Sequence, residues 1–383
     1  MKTLPKYSFG IGDRFAHEGL NQLKALVKAE ERFGVRFAPV WNKSNREHTI
    51  IGTEPKTTRE EADAAVRALG YGGEYFCDAD HITLANVDKF IPYCDFFTLD
   101  VAESLGKSGS REEHYLPAIK KAGELYRHIV EARGGDDFAT EISMDEVDEA
   151  QSPEDVRYIL GLVAEEGIPV QTFAPKFTGR FNKGVDYVGD IAKFETEFEE
   201  DLAAIRWAID ELSLPDTLKL SVHSGSDKFS IYPVMGRLLA RHSQGIHIKT
   251  AGTTWLEEII GLAAAGGDAI KLAKRVYAAA LARRDELSAP YATVIDIDEK
   301  ALPTVEEVES WQADRFARAL RHDEADPLYN PSFRQLMHVS FKIAAEMGAE
   351  FTDALEANSA LIGEQICANI CDRHVARLFA ETR

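Results

Sequence analysis

Between residues 218 and 230 the chain reads LKLSVHSGSDKFS. Leu218, Leu220 and Val222 alternate with Lys219, Ser221 and His223, and successive side chains on a strand point to opposite faces. The pattern therefore predicts a strand with one apolar and one polar face. Seven further segments read as strands, at 7–13, 36–42, 74–80, 95–100, 137–145, 169–177 and 245–250. Between most of them run stretches with helical periodicity, such as HEGLNQLKALVKAEERFG and PAIKKAGELYRHIVEARGG. Several carry start and stop marks, including a Ser-Pro-Glu-Asp opening at 152–155 and closing glycines.

Eight alternations of strand and helix predict a closed parallel (β/α)8 TIM barrel rather than an open doubly wound sheet, which has fewer strands and a Gly-rich nucleotide turn after its first. The barrel is expected over residues 1–285. Residues 286–383 read as a helical extension packed on it, interrupted by SAPY and ADPLYNPS.

In such a barrel one strand face meets the outer helices and the other lines the interior, with chemistry at the C-terminal mouth. The polar face of residues 217–223 is then interior, with His223 at the mouth. By the same alternation Glu141, Ser143 and Asp145 share an inward face on the fifth strand, and His247 and Lys249 on the eighth. Asp100 ends the fourth strand at the mouth, and the third ends in Asp78, Ala79, Asp80 and His81. An interior holding Glu141, Lys219, His223, His247, Lys249 and either Asp80 or His81 is too polar for a packed core alone, because buried charges must be paired or bound to a metal. Histidines on the third, seventh and eighth strands point to a divalent cation: Zn, Mn, Ni, Fe or Co, unresolved by sequence.

The formal charge of -20 argues against nucleic acid, whose backbone is met by basic patches. The N-terminal stretch MKTLPKYSFGIGDRF lacks a signal-peptide core, and no later run reaches a membrane span, so a cytoplasmic location is expected. Cys77, Cys94, Cys367 and Cys371 form no metal or redox framework. Seven histidines away from the strand ends, among them His322, receive no assignment. GKSGSREEH at 106–114 lacks the first glycine of a phosphate loop and reads as a lid.

The segments FGIGDR, CDADHI, EISMDEVDE, FTGRFNKGVDYVGD, SVHSGSDKFSIYP, HIKTAGTTWLE and FRQLMHVSF, in order from about residue 7 to about 345, resemble the successive motifs of the tagaturonate epimerase family. The resemblance implies a metal-dependent carbohydrate epimerase interconverting tagaturonate and fructuronate, or a close keto-uronate or ketose. It implies Asp80 and Glu141 as the two acid/base residues and His81, His223 and His247 as metal ligands. Asp80 and His81 are adjacent and would point oppositely on an ideal strand, so the pair requires a turn there. The family's N-terminal segment is expected to be missing, and Lys176 stands where an arginine is expected.

Inverting a carbon β to a ketone cannot proceed through an enolate at that carbon. Retro-aldol cleavage and religation remains, or transient oxidation, which the absence of a GxGxxG strand-turn-helix unit weakens. Lys249 and Lys176 are candidates for binding the substrate's carboxylate, or for ion pairs with Asp100 or Asp145. Arg334 is placed to reach the mouth from the C-terminal layer, with His338 one turn behind. Ser224, Asp227 and Lys228 follow the seventh strand, where barrels bind phosphate, so a sugar phosphate is a rival substrate. A metal-dependent aldolase or aldose–ketose isomerase, and a non-catalytic sugar-binding barrel, stay open as alternatives. The oligomeric state is not readable.

Overall fold

The computed structural model describes residues 2–106, 109–145, 147, 149–250 and 252–379; two residues of the expected lid, Lys107 and Ser108, lie outside this set. Eight strands, β1 (Tyr7–Ile11), β2 (Ala38–Ser44), β3 (Phe76–Ile82), β4 (Phe96–Asp100), β5 (Ala139–Ser143), β6 (Thr172–Ala174), β7 (Lys219–His223) and β8 (Ile246–Lys249), close in sequence order into one barrel. Every neighbouring pair is parallel, including β8 against β1. This is the expected (β/α)8 TIM barrel; β2 and β3 keep the expected length but start two residues later, and the other six strands are shorter than the sequence suggested, most of all β6.

Local chemistry sets the helix ends. Ser152 accepts from the Asp155 amide at 3.2 Å, closing a capping box, and Pro153 occupies the first helical position, where its missing N–H costs nothing. Helices Gly19–Phe33 and Arg111–Arg133 stop at Gly34 and Gly134, whose left-handed φ of 68° and 71° glycine adopts without a Cβ clash.

The barrel interior is graded along its axis. At the N-terminal end Leu4, Ala38, Val40, Phe76, Phe96 and Ala139 form a small apolar plug, separate from the large core between strands and helices. Two residues further along, the inward positions turn polar: Phe76 is followed by Asp78 and Asp80, Phe96 by Thr98, Ala139 by Glu141, Val40 by Asn42. The side-chain period of two carries this gradient from plug to mouth.

Beyond β8 the chain is helical, and the expected boundary at 285 falls inside the short helix Arg284–Ser288. The large core runs continuously into these helices. The Trp255 indole, on the helix after β8, donates to Met337 O at 2.6 Å, and Leu378 lies so close to Gly236 that any side chain there would strike its carbonyl. None of the helices, among the described residues, is long and apolar enough to cross a membrane.

Candidate active site

Lys249 at the end of β8 is the hub of the mouth. Its ammonium lies 2.7 Å from Asp78 Oδ2, 2.9 Å from Asp80 Oδ1 and 2.9 Å from Glu141 Oε1, and donates to Thr98 Oγ1 at 2.6 Å. Burial alone would strip its proton, yet Asp78, Asp80 and Glu141 hold its pKa well above the ordinary lysine value. The ion-pair reading of Lys249 is thus the one realised, with different acids from Asp100 and Asp145, and the ammonium is not free to take a substrate carboxylate.

Glu141 is fully buried and held at both oxygens: Thr172 donates to Oε2 at 2.7 Å, and His223 Nε2 meets Oε1 at 2.7 Å. Burial pushes its pKa up, but Lys249 and His223 bring it well below the carboxylate range. Asp80 is likewise ionised, drawn down against burial by Lys249 and then His81. Asp78 behaves differently: burial raises it to about 7 despite Lys249.

The turn demanded by the Asp80–His81 pair is present. His81 has φ 52°, and the pairing of β3 with β4 shifts register between Ala79 and Ile82. A bulge of this kind adds a residue to one strand and re-aims its side chains. Both neighbours consequently reach the mouth, with His81 Nδ1 2.9 Å from Asp80 Oδ1 and His81 Nε2 3.2 Å from Asp145 Oδ1.

His81, His223 and Asp145 bring one donor atom each to within 4.8 Å of one another. His223 Nδ1 faces Asp145 Oδ2 at 3.1 Å, and Ser143 donates to the other Asp145 oxygen. Against burial, Asp80 and Asp145 hold His81 well above its ordinary pKa, and Asp145 first among its partners raises His223 to about 9.

His247 does not join this group. It sits two residues below Lys249, its Nδ1 2.8 Å from Ser8 Oγ and its ring 5.3 Å from Phe96. Burial lowers its pKa to about 3, so it is a neutral imidazole of the middle layer, and its Nε2 has no hydrogen-bond partner. Asp145 stands third in the cluster in its place.

Other expected contacts fall elsewhere. Arg334 is turned away from the mouth: its guanidinium donates to Asp227 Oδ2 at 2.8 Å, to Leu320 O at 2.6 Å and to Gly184 O at 2.5 Å. Asp227 is fully buried and also meets His374 Nε2 at 2.9 Å and Asn369 Nδ2 at 3.1 Å, so it ties β7 to the C-terminal layer. Lys228 is buried on Ser226 Oγ at 2.8 Å, and Ser224 donates to Lys249 O at 2.8 Å. Asp100 accepts from the Ala102 amide at 3.1 Å and caps the following turn. These residues were expected to touch substrate, but their polar atoms serve internal bonds. His338, one turn behind Arg334, does line the mouth.

The mouth opens into a cavity of about 330 Å³ whose walls include Lys176, Lys183, Arg46, Phe181 and Tyr291. A second recess of about 100 Å³ reaches Asp80, His81, Asp145, His223 and Lys249. Asp78, Thr98, Thr172, Arg46 and Lys183 were not singled out from sequence. Alternation on β3 and β4 places Asp78 and Thr98 inward, whereas Arg46 sits in the short helix Asn45–Ile51 directly after β2 and Lys183 on the loop after β6, neither of which strand alternation describes.

The profile of the tagaturonate epimerase family matches residues 110–377. The chain belongs to that family. A tagaturonate/fructuronate epimerase of Thermotoga maritima is 28% identical over 96% of this chain and 80% of its own. The glycerol-complexed crystal structure of fructuronate-tagaturonate epimerase from Cohnella laeviribosi superposes with TM-score 0.83 at 22% identity, covering 98% of this chain and 82% of that one. A probable tagatose 6 phosphate kinase from Sinorhizobium meliloti superposes with TM-score 0.53 at 14% identity, over 97% of this chain and all of that one, a likeness of fold. Membership makes the chain an epimerase, an isomerase acting on carbohydrate.

Proposed function

We propose that the protein interconverts tagaturonate and fructuronate by retro-aldol cleavage and religation, with a divalent cation at the mouth. The observation that carries the reading is the charge of the donor set. Without a cation, the protons held on His81 and His223 together with Lys249 balance Asp80, Glu141 and Asp145; displacing those two protons leaves two negative charges beside two imidazoles, which one divalent cation matches in both charge and donor type. His81, His223 and Asp145 would hold it, and it would supply Lewis-acid polarisation of the ketone and of the developing enediolate.

The remaining work belongs to the chain. Glu141 and Asp80 are both ionised and flank Lys249, so either can accept the hydroxyl proton of the inverted carbon. Loss of that proton turns the hydroxyl into a carbonyl as the C–C bond toward the ketone breaks. The aldehyde presents its other face, the bond reforms, and the carboxyl that took the proton gives it back to the new alkoxide, directly or through the Lys249 ammonium that touches both carboxylates. Lys249 keeps both carboxylates in place without being consumed. Lys176, with Arg46 and Lys183 on the same cavity wall, supplies positive charge for the substrate's carboxylate. A phosphate finds less here, since Lys228 is spent on Ser226.

The test is metal-stripped protein reloaded separately with Mn, Ni, Zn or Co and followed by carbon NMR on both keto-uronates in heavy water. Metal-dependent interconversion with no deuterium at the inverted carbon is expected. Deuterium incorporation beside the ketone would replace the reading by an enediol isomerase, and cleavage without religation by an aldolase.

A further inference from the structure

A second group of ligating side chains lies outside the mouth, in the joint between the barrel and its C-terminal layer. Asp186 is on the connection after β6, and His322 and Glu324 are between helices Ala313–Leu320 and Pro331–Val339; their donor atoms also lie within 4.8 Å of one another. The first two are drawn in by packing and Glu324 is exposed, so proximity alone would decide nothing.

The state of His322 decides it. Its side chain is 1% exposed, and its Nε2 is buried with no hydrogen-bond partner, 3.9 Å from Glu324 Oε1. Its other nitrogen, Nδ1, lies 3.3 Å from Asp227 Oδ2. The same Asp227 oxygen accepts from the Arg334 guanidinium at 2.8 Å, so Nδ1 is the nitrogen placed to donate there. The buried, unpartnered Nε2 is then the ring's open coordination position, with Glu324 and Asp186 offering carboxylate oxygens within 4.8 Å, a donor set that a cation between them satisfies. The ring cannot turn away: it is stacked between Phe229, 5.0 Å and 28° off parallel, and Tyr329, 5.5 Å and 23°. A carboxylate behind an imidazole that presents its other nitrogen is the outer-shell device that orients histidine on a metal.

We propose that Asp186, His322 and Glu324 bind a second divalent cation, of the zinc or manganese type that accepts one imidazole with two carboxylates. A shallow groove walled by Asp186, Glu324 and Tyr329 gives it a path from solvent, and water completes its coordination. The ion joins three parts of the molecule. Asp186 also accepts from the Ser230 amide and hydroxyl, the latter at 3.0 Å, just before helix Tyr232–His242. The same connection carries Asn182 and Lys183 on the wall of the mouth cavity. Cation binding here pins that wall to the C-terminal layer without touching the mouth cluster.

The experiment counts metal. Stripped protein carrying His81→Gln and His223→Gln is titrated with Zn²⁺ and with Mn²⁺ by calorimetry, with bound metal measured after gel filtration. One equivalent is expected to remain, lost when His322→Gln is added and weakened tenfold or more by Glu324→Gln alone, a surface change that leaves folding intact. In otherwise unaltered protein, Glu324→Gln is expected to reduce the rise in melting temperature that metal produces. No uptake by the double variant, or uptake indifferent to Glu324→Gln, would overturn the proposal. Because occupancy rather than turnover is read, failure of the epimerase reading would leave this result standing.

Discussion

Lys249 carries more of the site than any other residue, because it is the cation against which the buried Asp78 and Glu141 and the partly exposed Asp80 are balanced. Removing one partner of a buried ion pair leaves the other charge uncompensated, at a cost of about 3–5 kcal/mol. Lys249→Met is therefore expected to lower the unfolding free energy measured in urea by that order as well as to abolish turnover; a value equal to the parent's would show that the carboxylates are not held by this ammonium. Glu141→Gln keeps shape and burial while removing the base, and is expected to cut kcat by about 10²–10⁴-fold with metal uptake retained. Steady-state kinetics beside metal analysis separates that outcome from a general collapse of the site. His247→Asn offers the contrast. With Nδ1 on Ser8 and the ring on Phe96, the side chain belongs to the middle layer, so the variant is expected to lose thermal stability while the metal content of the mouth stays unchanged.

At the scale of elements, β3 shows why alternation is a good but incomplete guide. It places Phe76 and Asp78 inward correctly, and then the bulge at His81 breaks the period so that two adjacent residues serve one mouth. Helix Ile191–Leu212 holds a second departure, the carboxyl of Asp201, which is 1% exposed with an unpartnered Oδ1. Burial first, then Glu197 and Glu200, push its pKa up to about 8 from an ordinary 3.8. The folded protein keeps a proton that the unfolded chain releases near pH 4, so Asp201 costs stability increasingly as pH rises from about 4 to about 8. Asp201→Asn removes that titration. Its gain in urea midpoint over the parent is expected to be larger at pH 8 than at pH 5, and equal gains at the two values would show that Asp201 ionises normally in the fold.

For the whole molecule the decisive contact is the polar knot on Asp227, where Arg334, His374 and Asn369 of the C-terminal layer converge on the loop after β7. Arg334→Leu leaves a buried carboxylate short of its main cation and frees the carbonyls of Gly184 and Leu320. A loss of about 3–5 kcal/mol is expected, read as a lower melting temperature in both metal-free and metal-loaded protein. A stable variant with raised KM alone would return Arg334 to the mouth, where its sequence position had suggested it.

The order of strands and helices, the inward faces of the fifth, seventh and eighth strands and the candidacy of Glu141, His223 and one of Asp80 and His81 were legible along the chain, because periodicity and end signals are local and the barrel repeats one unit eight times. The family was legible too, through motifs spread from FGIGDR to FRQLMHVSF. Depth along the barrel axis was not. His247 and Lys249 share a face two residues apart, and only closure of β8 on β1 and β7 put one at the mouth and the other beside Ser8. Nor could a sequence say which acid a buried cation would choose. Lys249 took Asp78, Asp80 and Glu141, Arg334 took Asp227, and Asp145 came to stand between two histidines, because those pairings depend on distances across the barrel that exist only once it has closed.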